Sequence, residues 1–144
     1  AQRCFTVPEL RLLDIYSLFD GIVISSDEYT CKPDKAFYET ILSRYALKQN
    51  ETIMIGNDYI TDIRGSFEAG LDSLYIHSNL SPEVEGKLLS KYSVMDGDVG
   101  RIGEHILWFF KINEKREIPM ESPFSYPTSY CNIIFFWYIY IIAI

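Results

Sequence analysis

The chain has 144 residues, 48% of them hydrophobic and 23% charged, which is the composition of one folded domain with a real core and not of a disordered segment. A formal net charge of −7 without a basic cluster excludes nucleic acid and anionic membrane surfaces as natural partners, since both demand concentrated Lys and Arg. The three cysteines, Cys4, Cys31 and Cys131, are widely spaced and form no Cys-x-x-Cys pair, which excludes a disulfide framework and a zinc site and points to a reduced, cytoplasmic setting.

In chain order, no charged-then-apolar signal peptide opens the sequence, and Ala1 stands where an initiator Met is expected, so a processed chain or a piece of a longer protein is anticipated. The run Gly21-Ile22-Val23-Ile24-Ser25-Ser26 ends in polar residues as a buried strand does. Pro33-Asp34 opens a helix with Phe37, Ile41, Leu42 and Tyr45 along one stripe. A second buried strand is expected over Thr52–Gly56, stopped by Gly-Asn-Asp. The spacing of Ile60, Ile63 and Phe67 predicts a helix from Thr61 to Ala69, with Gly70 as its terminating glycine. Ser73–His77 reads as a third strand, and Ser81-Pro82-Glu83 as a helix start. A weaker strand at Tyr92–Met95 and an amphipathic helix from Val99 to Ile112 follow. Strands alternating with helices predict an α/β fold built on a parallel sheet.

Composition changes near Pro119. Residues 1–118 form the expected core domain, 119–130 a proline-containing linker, and 131–144 an apolar tail without charge. Fourteen residues span about 21 Å as a helix, short of a bilayer core of about 30 Å. A membrane anchor is therefore the second choice. The tail otherwise fills part of the sheet, since Ile, Phe, Tyr and Trp suit strands, or it is not native coding sequence, a reading the abrupt loss of charge favours slightly.

Ligands of an open parallel sheet sit beyond the C-terminal ends of its strands, and three polar clusters fall there. They are Ser25-Ser26-Asp27 with Lys32-Pro33 close behind, Gly56-Asn57-Asp58 with Asp62 four residues on, and His77-Ser78-Asn79. Asp58 at a strand end and Asp62 at a helix start can aim two hard oxygens at one point, as Mg²⁺ requires. Gly56 lets a ligand approach the backbone, and the Lys32 ammonium can offset phosphoryl charge. Each residue alone has a plainer role: Asp58 in an Asx-turn, Asp62 against a helix dipole, Lys32 in solvent. His77 and Cys31 receive no catalytic role.

Taken together, Lys32-Pro33-Asp34 with Phe37-Tyr38, then Ile55-Gly56-Asn57-Asp58-Tyr59-Ile60-Thr61-Asp62-Ile63 and a helix closing in Ala69-Gly70, resemble the haloacid dehalogenase-like (HAD) hydrolase superfamily over about Phe19 to Ile76. The approach segment Phe19-Asp20-Gly21-Ile22-Val23 is similar to the family as well. The resemblance implies the C-terminal part of the core domain, a truncated Rossmann-like parallel sheet with flanking helices. It implies Lys32 as the third-motif lysine that steadies the nucleophile and a phosphoaspartyl intermediate. Asp58 and Asp62 would be the fourth-motif pair holding Mg²⁺, with Gly56 and Asn57 beside the substrate.

The family's first motif, an Asp-x-Asp carrying the nucleophile, does not precede Lys32; the one Asp-x-Asp is Asp96-Gly97-Asp98, in the wrong order. The second-motif Ser or Thr would lie just ahead of Ala1-Gln2-Arg3. In the family sheet the nucleophile strand lies between the second-motif and fourth-motif strands, so its absence would leave a gap beside Thr52–Ile55 and an isolated chain of marginal stability. Two functions are expected on this basis. One is the C-terminal portion of a Mg²⁺-dependent phosphatase for a small phosphorylated metabolite or nucleotide, inactive alone. The alternative is an inactive remnant that binds a metal or a partner and is tethered by the tail.

Overall fold

A computed structural model describes residues 1–84, 86–106, 109 and 132–135, the last four by their backbone. Thr52–Gly56 forms strand β1, with all five residues buried, as expected of a strand covered on both faces. It pairs in parallel with β2, Asp72–Ile76, setting Ile53 opposite Asp72 and Gly56 opposite Tyr75. Beyond β2 lies β3, Tyr92–Val94, also parallel. The other edge of β1 is taken by β4, Asn132–Phe135, in parallel register with Ile55 opposite Phe135. The order is β3-β2-β1-β4, the expected truncated Rossmann-like sheet.

Alternation along β1 splits the core into two layers. Met54 faces Val23, Phe37, Tyr38, Ile41, Ala69 and Leu71 on one side. Ile53 and Ile55 face Leu74, Val94, Ile102, Ile106 and Phe109 on the other. The first layer is closed by helix α3, Lys35–Arg44, which buries Phe37, Tyr38 and Ile41 as its stripe predicts. After β1, a π-helical turn over Tyr59–Arg64 runs into the short helix α4, Gly65–Glu68. Ahead of these lie α1, Arg3–Leu12, and the four-residue α2, Ser25–Glu28.

Three helices end in one backbone motif, in which a left-handed residue reverses the chain and two N–H groups return to the last turn. Gly70 (φ 79°) does this for α4, with Leu71 N–H on Ser66 O at 2.9 Å. Ala46 (φ 51°) does it for α3, with Leu47 N–H on Leu42 O at 2.8 Å, and Asp14 (φ 54°) for α1. The terminating role expected of Gly70 is met.

Several expectations are corrected. Residues 21–24 are extended but pair with no strand among the described residues, and Ser25 and Ser26 belong to α2. Val23 and Ile24 are nonetheless fully buried, so the run keeps its burial and loses its ladder. The helix expected at Thr61 starts at Tyr59, and its π-helical path shifts the phase of the buried face. Ile60 and Phe67 are exposed (37% and 56%), while Tyr59, Asp62, Ile63 and Ser66 are buried. No helix follows Ser81 over 81–84; its hydroxyl instead accepts the Ser78 N–H at 2.9 Å. The last helix begins with a tight turn at Val99–Arg101 and continues through 102–106. Its expected end near Ile112 and the linker at 119–130 lie outside the described residues, as do 131 and 136–144 of the tail. Of the three readings of the tail, β4 matches the one that fills the sheet, on the edge where the resemblance puts the nucleophile strand. Among the described residues, no helix is long and apolar enough to cross a membrane.

Candidate active site

The C-terminal end of β1 opens into a cleft of about 560 Å³ lined by Lys32, Asn57, Asp58, Thr61 and Asp62, with Ser25 at its side. All four polar side chains singled out from the sequence therefore meet at one mouth, and the backbone of Gly56 ends β1 just beneath it.

Lys32 reaches Asp62 from the neighbouring element, and its ammonium donates to Asp62 Oδ1. Both side chains are nearly buried, 12% and 3% exposed, so neither is the solvated surface residue it would be alone. The Lys32–Pro33 peptide is cis. The second oxygen of Asp62 accepts the Asp58 N–H at 3.0 Å, and the Thr61 hydroxyl donates to Oδ1 at 3.4 Å. A Cβ on Gly56 would land on the Asp62 carboxylate; the glycine is what lets the turn fold back over the strand end.

Asp58 takes the plainer role foreseen for it. Its Oδ1 accepts the N–H groups of Ile60 and Thr61, both at 2.9 Å, and so caps the turn that follows. Its Oδ2 has no hydrogen-bond partner among the described residues. Asn57 donates from Nδ2 to Ser78 Oγ at 3.3 Å, tying the end of β1 to the loop after β2. Tyr38, fully buried in α3, donates its hydroxyl to the Thr61 carbonyl.

Burial dominates the electrostatics here. It pushes the Lys32 ammonium below the usual lysine range and the Asp62 carboxyl above the usual carboxylate range, while the attraction between them opposes both shifts. Burial also pushes the Tyr38 hydroxyl upward, with the negative charges of Asp62 and Asp58 acting in the same direction.

The remaining candidates separate. Ser26 and Asp27 turn away to α1, where Ser26 Oγ accepts the Arg3 N–H and Asp27 accepts from the Arg3 guanidinium at 2.7 Å. The His77 ring lies 3.3 Å from the Tyr75 hydroxyl, the local partner expected for it. Asp96 pairs with Arg101, and Asp98 caps the turn after β3; neither lines the cleft. Two contributors went unread in the sequence, Ser78 behind Asn57 and Tyr38 behind Thr61. The signal for Tyr38 was a tyrosine on a core stripe, whose hydroxyl must find a buried partner.

The model of the haloacid dehalogenase-like hydrolases matches residues 1–76, more than half of the chain. The chain belongs to that family. The match starts ahead of Phe19, so α1 is part of it as well. Among curated HAD relatives, the glyceraldehyde 3-phosphate phosphatase of Methanothermobacter thermautotrophicus is 32% identical over 73 residues, 51% of this chain and 32% of its own. The pyrimidine 5′-nucleotidase PynA of Streptococcus pneumoniae is 38% identical over 58 residues, 40% of this chain and 24% of its own. The chain thus spans about a third or less of the relatives it matches. Among solved structures, the magnesium-bound YfnB of Bacillus subtilis superimposes with a TM-score of 0.66 at 22% identity, over 73% of this chain and 45% of that one. That likeness bears on the fold.

Within the HAD frame, the donors at the cleft are hard oxygens from Asp58, Asp62 and Asn57, the chemistry that suits Mg²⁺. Asp58 Oδ2 is the oxygen not engaged by hydrogen bonds, whereas both Asp62 oxygens are held by neighbours. Among the described residues, no cluster of three or more His, Cys, Asp or Glu gathers at one point. The donor set therefore fits a hydrated Mg²⁺ that takes only a few protein ligands.

Proposed function

We propose that this chain carries the lysine-and-metal half of a Mg²⁺-dependent phosphatase site for a small phosphorylated metabolite or nucleotide. The observation that carries the reading is the buried Lys32–Asp62 pair at a cleft mouth shared with Asp58 and Asn57. A fixed positive charge with carboxylates around it, largely shielded from water, favours a transferring phosphoryl group more than it would in solvent.

In this reading Asp58 and Asp62 hold the metal, Asp58 through its unengaged oxygen. Mg²⁺, when bound, neutralises phosphoryl charge and orients the phosphate. Asp62 also keeps Lys32 charged and aimed at the cleft. Lys32 offsets the negative charge of the attacking carboxylate and of the phosphoryl group it receives. Gly56 and Asn57 line the path of the substrate. The attacking carboxylate is none of the residues lining the cleft as described; it would take the phosphoryl group as the substrate alcohol leaves, and water would then release phosphate. Names such as glyceraldehyde 3-phosphate phosphatase and pyrimidine 5′-nucleotidase among the relatives support a small phosphorylated substrate.

The test is hydrolysis of p-nitrophenyl phosphate with Mg²⁺ by a protein that joins this chain to a family nucleophile segment. Lys32→Ala and Asp58→Ala should each lower kcat by at least about 100-fold, the scale for one preorganised charge-stabilising group. Turnover that survives both substitutions together would refute the assigned roles.

A further inference from the structure

Tyr38 sits in α3, one turn beyond the Lys32-Pro33 corner, with its ring buried in the layer that holds Val23, Ile41 and Met54. A phenylalanine would fill the same space. The hydroxyl is an added polar group in a dry setting, and such a group stays only if it is bonded. Its partner is the carbonyl of Thr61, in the turn that carries Asp58 and Asp62.

That carbonyl has an unusual need. In an α-helix Thr61 O would accept from Gly65 N–H, four residues on. Here the turn is π-helical: Ile63 N–H reaches back to Asp58 O, and Gly65 N–H goes to the Ile60 and Asp62 carbonyls. The wider turn displaces the donor that Thr61 O would have had, and Tyr38 occupies that place. Gly65 supplies the room. A Cβ there would lie 2.6 Å from the Tyr38 hydroxyl oxygen and 3.0 Å from Pro33 Cβ. Two side chains flanking the Lys-Pro corner thus reach adjacent residues of one turn: Lys32 takes the carboxylate of Asp62, and Tyr38 takes the carbonyl of Thr61.

We propose that the Tyr38 hydroxyl, admitted by the missing side chain of Gly65, is a positioning group that holds the π-helical turn and thereby sets Asp62 against Lys32. Its consequence for metal binding rests on the functional reading above; its hold on the turn does not. Tyr38 touches neither substrate nor metal and acts through Thr61 and Asp62.

The experiment uses the full chain and Tyr38→Phe, which keeps the ring, with Tyr75→Phe as a control for losing a buried hydroxyl elsewhere. Amide hydrogen exchange at Ile63, Arg64 and Gly65 should quicken about tenfold in Tyr38→Phe, the scale of one buried hydrogen bond, while Ile53–Ile55 of β1 keep their rates. Tyr75→Phe should leave the turn unchanged. Equal acceleration in β1 and the turn, or none in the turn, overturns the proposal. In the second arm Mg²⁺ alone is titrated. Tyr38→Phe should weaken its binding about three- to tenfold and add nothing further in an Asp62→Asn background; additive losses overturn the route through Asp62. If the unaltered chain takes up no Mg²⁺, the functional reading fails, and the exchange arm still decides the role of Tyr38.

Discussion

Two apolar runs meet in the same core layer and end in different states. β1 is a strand with a partner on each edge, whereas residues 21–24, equally rich in Ile and Val and just as buried at Val23 and Ile24, have no ladder among the described residues. Burial is thus satisfied in both places, and backbone pairing in only one. The contrast extends outward from each run. Around β1, the π-helical turn and α3 cover nearly everything apolar. Beside residues 21–24, α1 leaves Phe5 and Leu12 exposed at 72% and 86%. Even the ion pairs differ, Lys32–Asp62 being buried and Arg3–Asp27 largely in solvent. A strand is a property of a pair of segments, and the half of the domain that has its pair is the half that builds the site.

The largest expected effect breaks the ion-pair half of this contrast. Lys32→Met strands a buried carboxylate and should cost roughly 3–5 kcal/mol, read as a lowered urea midpoint; Arg3→Met should leave that midpoint almost unmoved. Next comes the backbone. Amides of Ile53–Ile55 should exchange only through global opening, and those of Ile22–Ile24 through local opening at least about a hundredfold faster. Equal protection of the two runs would mean that the first has a partner strand after all. Helix termination is smaller in scale. Gly70→Ala should lose about 1 kcal/mol and Ala46→Gly should gain a few tenths to about 1 kcal/mol, since both positions are left-handed and only glycine enters that region without cost. The smallest effect is in acid. The Arg3 guanidinium holds the Asp27 carboxyl below its ordinary range, so its contribution is fully present above about pH 4 and fades as pH falls through the depressed value. Asp27→Asn should slightly flatten the acid side of the stability profile.

How much could be read beforehand follows from the same contrast. β1 and β2 were legible because a continuous apolar run bounded by turn residues leaves little choice, and Gly70 because a terminating glycine has a steric reason. Residues 21–24 carried the same signal, but no local pattern states whether a partner strand lies alongside. Helical periodicity placed Ile60 and Phe67 inside, and the π-helical turn moved them out, because one wider turn changes the phase of everything after it. At the site, Lys32, Asn57, Asp58 and Asp62 were legible as a set, since strand ends and turns fix where they gather. Their division of labour was not. That Asp58 caps the turn while Asp62 takes Lys32 depends on the backbone path, and the Tyr38 contact crosses from one element to another.

The central claim is that the mouth of β1 holds Mg²⁺ through Asp58 and Asp62 beside Lys32. Its most direct test is a Mg²⁺ titration of the full chain followed by backbone amide NMR, on the unaltered protein and on Asp58→Asn. The account predicts saturable shifts concentrated at Lys32 and Asn57–Asp62 that vanish in the variant. Shifts that never saturate, or that persist unchanged in Asp58→Asn, would contradict it.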